Sequence, residues 1–187
     1  MTNETRRWVE GSLCFALFCL TIPLANWMIQ NFGTVCTKDG PCLIPVAPGL
    51  MAPSGVLTVG VALVLRDLVQ RRLGVLASVA AILIGAALSG LLAPLSLVMA
   101  STAAFLLSEF ADLAVYTPLQ ERRFVTAVVV SGIVGLVVDS IVFLWLAFGS
   151  LDFLAGQVVG KAWMVLLSIP FIIYLRRRDA QMNLGPA

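Results

Sequence analysis

The sequence has no histidine and little charge: Lys, Arg, Asp and Glu make up 12% of its 187 residues, against about 25% in soluble globular chains. Without histidine there is no Ser-His or Cys-His dyad and no histidine-bound metal. The four cysteines show no C-x-x-C spacing, so a zinc or dithiol redox site is not expected either. Most familiar enzyme classes drop out, and the chain reads as a non-enzyme with neither cofactor nor metal.

Apolar surface is what the chain has in excess. Hydrophobic residues form 60% of it, mean hydropathy is +1.00, and the run from Leu73 to Phe105 contains no charged residue. A soluble core of this size cannot hide such a run, and the solvent that fits is a bilayer. A spanning helix needs roughly 20 mostly apolar residues. That length fits six times, at approximately 12–32, 53–72, 73–93, 96–116, 124–148 and 153–175, which predicts an all-α polytopic fold in a single transmembrane domain. The second segment is the weakest, because Arg66 and Asp67 lie inside it and its apolar stretch ends at Leu65. Its inner turns are expected to leave the hydrocarbon. Pro53 suits a first helical turn, so Leu50 to Ser54 reads as a loop re-entering the helix.

Basic residues set the orientation, since short cytoplasmic flanks retain Lys and Arg. Arg6, Arg7, Arg66, Arg71, Arg72, Arg122, Arg123 and Arg176 to Arg178 all fall on one side, ten of the twelve basic residues. Both termini are therefore expected in the cytoplasm. The first apolar run continues through Asn26-Trp27 without a small-residue cleavage signal, so it reads as a permanent helix.

The stretch from Gly33 to Ala52 is the one sizeable loop, which leaves no room for a soluble catalytic or nucleic-acid-binding domain. Within it, Cys36 and Cys42 flank Thr37-Lys38-Asp39-Gly40-Pro41 on the outer face, where a disulfide and two free thiols are equally expected. Small pairs four apart, Gly156/Gly160, Gly85/Ser89 and Ser131/Gly135, predict close helix contacts, within the chain or in a homo-oligomer.

The informative residues are charges in the membrane, each costing about 2.5–3.5 kcal/mol at a helix centre. Glu109, Asp112 and Tyr116 share one face of the fourth segment. Ser131, Gly135, Asp139 and Phe143 make a stripe on the fifth, and Gln157, Lys161 and Ser168 another on the sixth. With a rise of about 1.5 Å per residue, Asp139 and Lys161 come out at the same depth and are expected to pair, with Asn26 near enough to join them. Glu109 and Asp112 fall on the inner side of the midplane.

Three central acids then face one central lysine, with Arg66 and Asp67 cancelling near the inner edge. Burial and a like-charged neighbour favour a protonated carboxyl, so Glu109 or Asp112 is expected to hold a proton. Arg66 is also placed to approach Asp112. Asp67 and Arg71 are expected to pair locally, and Arg71, Arg72 and Arg176 to Arg178 to act as topology signals. Trp27, Trp145 and Tyr174 fit an interfacial belt, while Tyr116 is divided between belt and substrate contact. An Asp139–Lys161 pair serving only assembly is the plainer alternative.

Arg66-Asp67-Leu68 with Leu73-Gly74, then Ser108-Glu109-Phe110-Ala111-Asp112-Leu113-Ala114-Val115-Tyr116, then Val138-Asp139-Ser140 through Phe143, and Lys161 ahead of Pro170 together form a pattern. It resembles the vitamin uptake transporter (VUT) family, also described as queuosine-precursor transporters, from about Pro53 to Pro170. The resemblance implies import of 7-deazaguanine compounds across the bacterial cytoplasmic membrane. It offers Glu109, Asp112 and Asp139 as acceptors for a guanine-like edge, Tyr116 and Phe143 as stacking rings, and Lys161 or Gln157 as donors. Arg66 and Asn26 complete the expected site. Other readings are a substrate-capturing subunit of an energy-coupling-factor importer, a structural subunit of a membrane complex, or a membrane enzyme relying on carboxylates alone.

Overall fold

A computed structural model describes residues 2–36, 41–93 and 95–187, with the side chain of Ser96 excepted. The loop residues 37–40, and with them Lys38, lie outside the described residues. Six long helices dominate, and the chain is an all-α polytopic membrane protein. Helix α1 spans Asn3–Asn31; it begins ahead of the apolar run because Thr2 caps it, its hydroxyl accepting from the Thr5 N–H at 3.2 Å. Helix α2 (Val56–Leu73) stops at Gly74, whose φ of +86° suits a residue without Cβ, and α3 (Val75–Leu92) starts directly after it. A short 3₁₀ turn, Leu95–Leu97, leads into α4 (Val98–Leu119). Helix α5 (Phe124–Phe148) ends at Gly149 in the left-handed region, and α6 (Leu154–Gln181) extends past the last apolar residues.

Five of these helices are long and apolar enough to cross a membrane, and α2 is the exception. Its place explains this: α2 packs against each of the other five helices. A helix enclosed by protein needs no lipid-compatible surface, and it can carry polar groups that lipid would reject. Arg66 through Arg72, on its inner turns, are all buried by neighbouring helices.

The loop between α1 and α2 holds an antiparallel sheet of β1 (Val35–Cys36), β2 (Cys42–Ala47) and β3 (Leu50–Pro53), in that order. Leu50 to Pro53, expected as a re-entry loop, is therefore a strand paired with Leu43 to Ala47. Three prolines in this short stretch mask its period-two pattern. Cys36 and Cys42 face each other in the register and are joined by a disulfide. Trp163 Nε1 donates to the Val46 carbonyl at 3.0 Å, and Ser54 Oγ to that of Met28 at 2.7 Å, so the sheet is tied to α6 and α1. A Cβ on Gly156 would collide with the Met51 carbonyl, and one on Gly160 would lie 2.7 Å from Val56 Cγ2. The small pair of α6 thus serves contacts within this chain.

At the opposite end, Asn3 Nδ2 donates to the Met182 carbonyl (3.1 Å) and Arg7 Nη2 to that of Gly185 (2.8 Å), so both chain ends lie together. Of the arginines expected as topology signals, Arg71, Arg72 and Arg178 form an ion-pair network there. Arg72 binds Asp179 through Nη1 and Nη2 at 2.9 and 2.8 Å and Glu10 through Nε at 2.9 Å; Arg178 also reaches Glu10, at 2.6 Å. Arg71 donates to Asp179 at 3.3 Å and stacks 3.8 Å over the Phe124 ring. The expected Asp67–Arg71 pair does not form. Four residues apart on one helix, the two turn to different neighbours, Asp67 to Arg66 and Ser131, and Arg71 to Asp179.

Candidate functional site

Two polar layers occupy the bundle interior. The layer nearer the sheet is built on Lys161 of α6, which is 1% exposed. Its Nζ lies 2.6 Å from Asp139 Oδ2 and 2.8 Å from Ser140 Oγ on α5, and it also donates to Gln157 Oε1 one turn earlier on α6. The Asp139–Lys161 pair expected from depth is present. An ammonium group has three N–H donors, and all three are engaged. Because its oxygen is held by the lysine, Gln157 must point its amide N–H groups elsewhere.

The deeper layer is built on Arg66 of α2, which is fully buried. Its Nε donates to Glu109 Oε2 at 3.1 Å, Nη1 lies 3.0 Å from Asp67 Oδ1, and Nη2 lies 2.8 Å from Asp112 Oδ2. The last two contacts are ionic but off the N–H direction, so Asp67 Oδ1 and Asp112 Oδ2 have no aligned hydrogen bond, and Asp112 Oδ1 has none either. Gln70 Oε1 accepts from Nη1 at 3.3 Å and Ser131 donates to Asp67 at 3.2 Å. The face shared by Glu109, Asp112 and Tyr116 looks inward, with all three buried. Gly135 lets α5 approach this face: a Cβ there would lie 3.1 Å from Asp112 Cβ.

Arg66 was expected to cancel with Asp67 near the inner edge. It does pair with Asp67 and, as expected, reaches Asp112, and it also takes Glu109, so that three carboxylates surround one guanidinium. The i to i+1 neighbour supplies only one of its partners, and the other two carboxylates come from α4.

A cavity of about 100 Å³ joins the layers, lined by residues from all six helices. Glu109, Asp139, Phe143, Gln157, Lys161 and Asn26 are on its wall. Asn26 does not join the lysine pair; its Nδ2 donates to the Ile22 carbonyl of its own helix at 3.0 Å. Arg66, Asp112 and Tyr116 lie outside this wall, beneath Glu109. Tyr116 is 0% exposed, which removes it from an interfacial belt; Trp27, Trp145 and Tyr174 remain exposed as belt residues do. The Arg66 guanidinium lies 5.7 Å from the Tyr116 ring centroid. Glu109 belongs to both layers, on the cavity wall and bonded to Arg66.

Three residues in or beside the cavity wall were not singled out as site residues by the sequence reading. Ser108 Oγ approaches Asp139 Oδ1 at 3.5 Å, and Ser140 binds the lysine. Each adjoins a charged residue in the chain, which is the signal that could have found it. Phe105 lines the cavity four residues before Glu109, on the same helical face. Among the described residues no group of three His, Cys, Asp or Glu side chains is arranged to hold a metal ion.

No curated protein and no solved structure matches the chain. The model of a family described as putative vitamin uptake transporter matches residues 91–175, which covers α4, α5 and the membrane part of α6. This stretch supplies Glu109, Asp112, Tyr116, Asp139, Phe143, Gln157 and Lys161, while Arg66 and Asn26 come from outside it. The chain is a multi-pass membrane protein, and over residues 91–175 it is similar to the family described as putative vitamin uptake transporter.

Proposed function

We propose that this chain imports a 7-deazaguanine-type queuosine precursor across a bacterial cytoplasmic membrane, coupled to protons and without a catalytic step. The observation that carries this reading is the double membership of Glu109, on the cavity wall and on Arg66. A guanine-like edge presents an N1–H and a 2-amino group, and one carboxylate accepts both. Glu109 and Asp139 are the carboxylates within reach of the cavity. Phe143 and Phe105 supply stacking rings. With the three lysine donors engaged, Gln157 donates its amide N–H to the substrate carbonyl, and Lys161 serves to fix it. Asp112 and Tyr116 act from below, through Arg66.

The cavity, about 100 Å³, is smaller than the roughly 150 Å³ that holds a benzene ring. A two-ring base therefore enters only when helices part, as in alternating access about a site near the midplane. Three carboxylates on one guanidinium would leave uncompensated charge out of water, and a proton on one of them relieves it. When substrate draws Glu109 away from Arg66, the charge balance of the deeper layer changes. Occupancy and protonation are thereby linked.

The substrate class rests on the family resemblance, and the donor and acceptor set of the cavity supports it. The test is a precursor-requiring bacterium lacking its own importer, supplied with this chain and scored for queuosine in its tRNA. Restored queuosine is the expected result. Unmodified tRNA despite correct membrane insertion overturns the substrate.

A further inference from the structure

At the end carrying the arginines, a second cavity of about 530 Å³ opens between the α4–α5 turn, the last turns of α6 and the segment after it. Arg71, Arg122, Arg123 and Arg176 line it, against Glu121 and Asp179. Asp179 is already bound by Arg71 and Arg72. Arg122, Arg123 and Arg176 make no ion pair among the described residues. The excess positive charge is thus turned into a concave site.

The wall formed by the segment after α6 is fixed by hydrogen bonds. The Leu184 N–H donates to the Asp179 carbonyl at 2.9 Å, the Ala187 N–H to that of Arg71 at 3.0 Å, and Arg7 to that of Gly185 at 2.8 Å. Gln120 is 6% exposed, lines the same cavity, and its Oε1 has no hydrogen-bond partner. Topology alone accounts for arginines at this end, but not for a walled cavity or for a buried acceptor left without a partner on a residue of its wall. An orphaned acceptor of this kind costs about 1–3 kcal/mol unless something donates to it.

We infer that this cavity binds a phosphate group that carries a hydroxyl donor close by, the arginines holding the phosphate and Gln120 Oε1 accepting from the hydroxyl. Arginine presents a planar fork suited to phosphate oxygens, and basic pockets between membrane helices hold anionic headgroups. A glycerol-bearing anionic lipid and a soluble glycerol phosphate share this chemistry.

The test uses the purified full chain in detergent, with thermal stability measured as phosphatidylglycerol, phosphatidylcholine or glycerol 3-phosphate is added. Phosphatidylglycerol should stabilise and phosphatidylcholine should not. Each of Arg122→Gln, Arg123→Gln and Arg176→Gln should weaken phosphatidylglycerol binding about fivefold, the equivalent of about 1 kcal/mol per arginine near an anionic lipid. Arg177→Gln, an exposed arginine outside the cavity, should bind as wild type does. If glycerol 3-phosphate stabilises alone, with the same variant pattern, the phosphate site stands and its source is soluble. Equal effects of the two lipids with no effect of glycerol 3-phosphate, or unchanged binding in all three variants, overturns the site. Gln120→Leu should abolish the preference for phosphatidylglycerol over phosphatidic acid, and a preserved preference overturns the role of the hydroxyl.

Discussion

Arg66 Nε donates to Glu109 Oε2 at 3.1 Å across the α2–α4 contact, and the same glutamate lines the cavity beside Lys161. One carboxylate therefore connects the two polar layers of the bundle.

Replacing Arg66 by Gln strands three buried carboxyls. Breaking a buried ion pair from one side costs about 3–5 kcal/mol, so Arg66→Gln should lower the thermal midpoint sharply in detergent. Adding Asp112→Asn and Asp67→Asn should recover part of the loss, because fewer charges are then left unpaired. A triple variant no more stable than Arg66→Gln alone would show that the acids do not depend on this guanidinium.

The Asp139–Lys161 pair separates assembly from transport. Lys161→Met frees Gln157 to rotate and leaves Asp139 unpaired, whereas the double variant Asp139→Leu with Lys161→Met removes both charges together. The double variant should regain stability relative to either single one yet remain without uptake. Uptake restored along with stability would make the pair an assembly lock only.

The α1–α2 loop should carry a closed disulfide. The bond spans a sequence separation of 6, and chain-entropy arithmetic for so short a loop gives about 2 kcal/mol. A thiol-reactive, membrane-impermeant label should attach at Cys36 and Cys42 only after reduction, and from the side opposite the chain ends. Labelling without reduction would contradict the bridge, and labelling from the other side would contradict the orientation.

Asp179 lies on the part of α6 beyond the apolar run ending at Leu175. Burial pushes its carboxyl up, but the hydrogen bonds and charges of Arg72 and Arg71 outweigh this and hold it below the ordinary carboxylate range. A depressed pKa stabilises the fold fully above the unfolded value and is lost as pH falls through the folded one. The stability gap between wild type and Asp179→Asn should therefore be flat from about pH 5 to 8 and close below about pH 4. A gap that widens on acidification would contradict the pairing.

Much of the site was legible because charge in a membrane is expensive and helical spacing is regular. Those two facts alone placed Glu109, Asp112 and Tyr116 on one inward face and put Asp139 level with Lys161. Asp67 and Asp112 were legible as partners of Arg66, but Glu109 was not, nor was the turn of Arg71 to Asp179, since these are set by packing between helices, and local spacing favoured the wrong neighbour for Asp67. The same is true of α2 itself. Its low hydropathy read as a weak span, although the physical meaning was a central helix shielded by five others. The sheet was hidden by prolines, which interrupt the alternation that marks a strand while still permitting edge pairing.

Uptake of a radiolabelled 7-deazaguanine base into proteoliposomes, comparing wild type with Glu109→Gln under an inward proton gradient and again with a protonophore, tests the central claim most directly. Wild-type uptake should fall at least tenfold with the protonophore, and Glu109→Gln, correctly inserted, should show neither uptake nor a response to it. Glu109→Gln transport equal to wild type, with the same response to the gradient, would contradict the account.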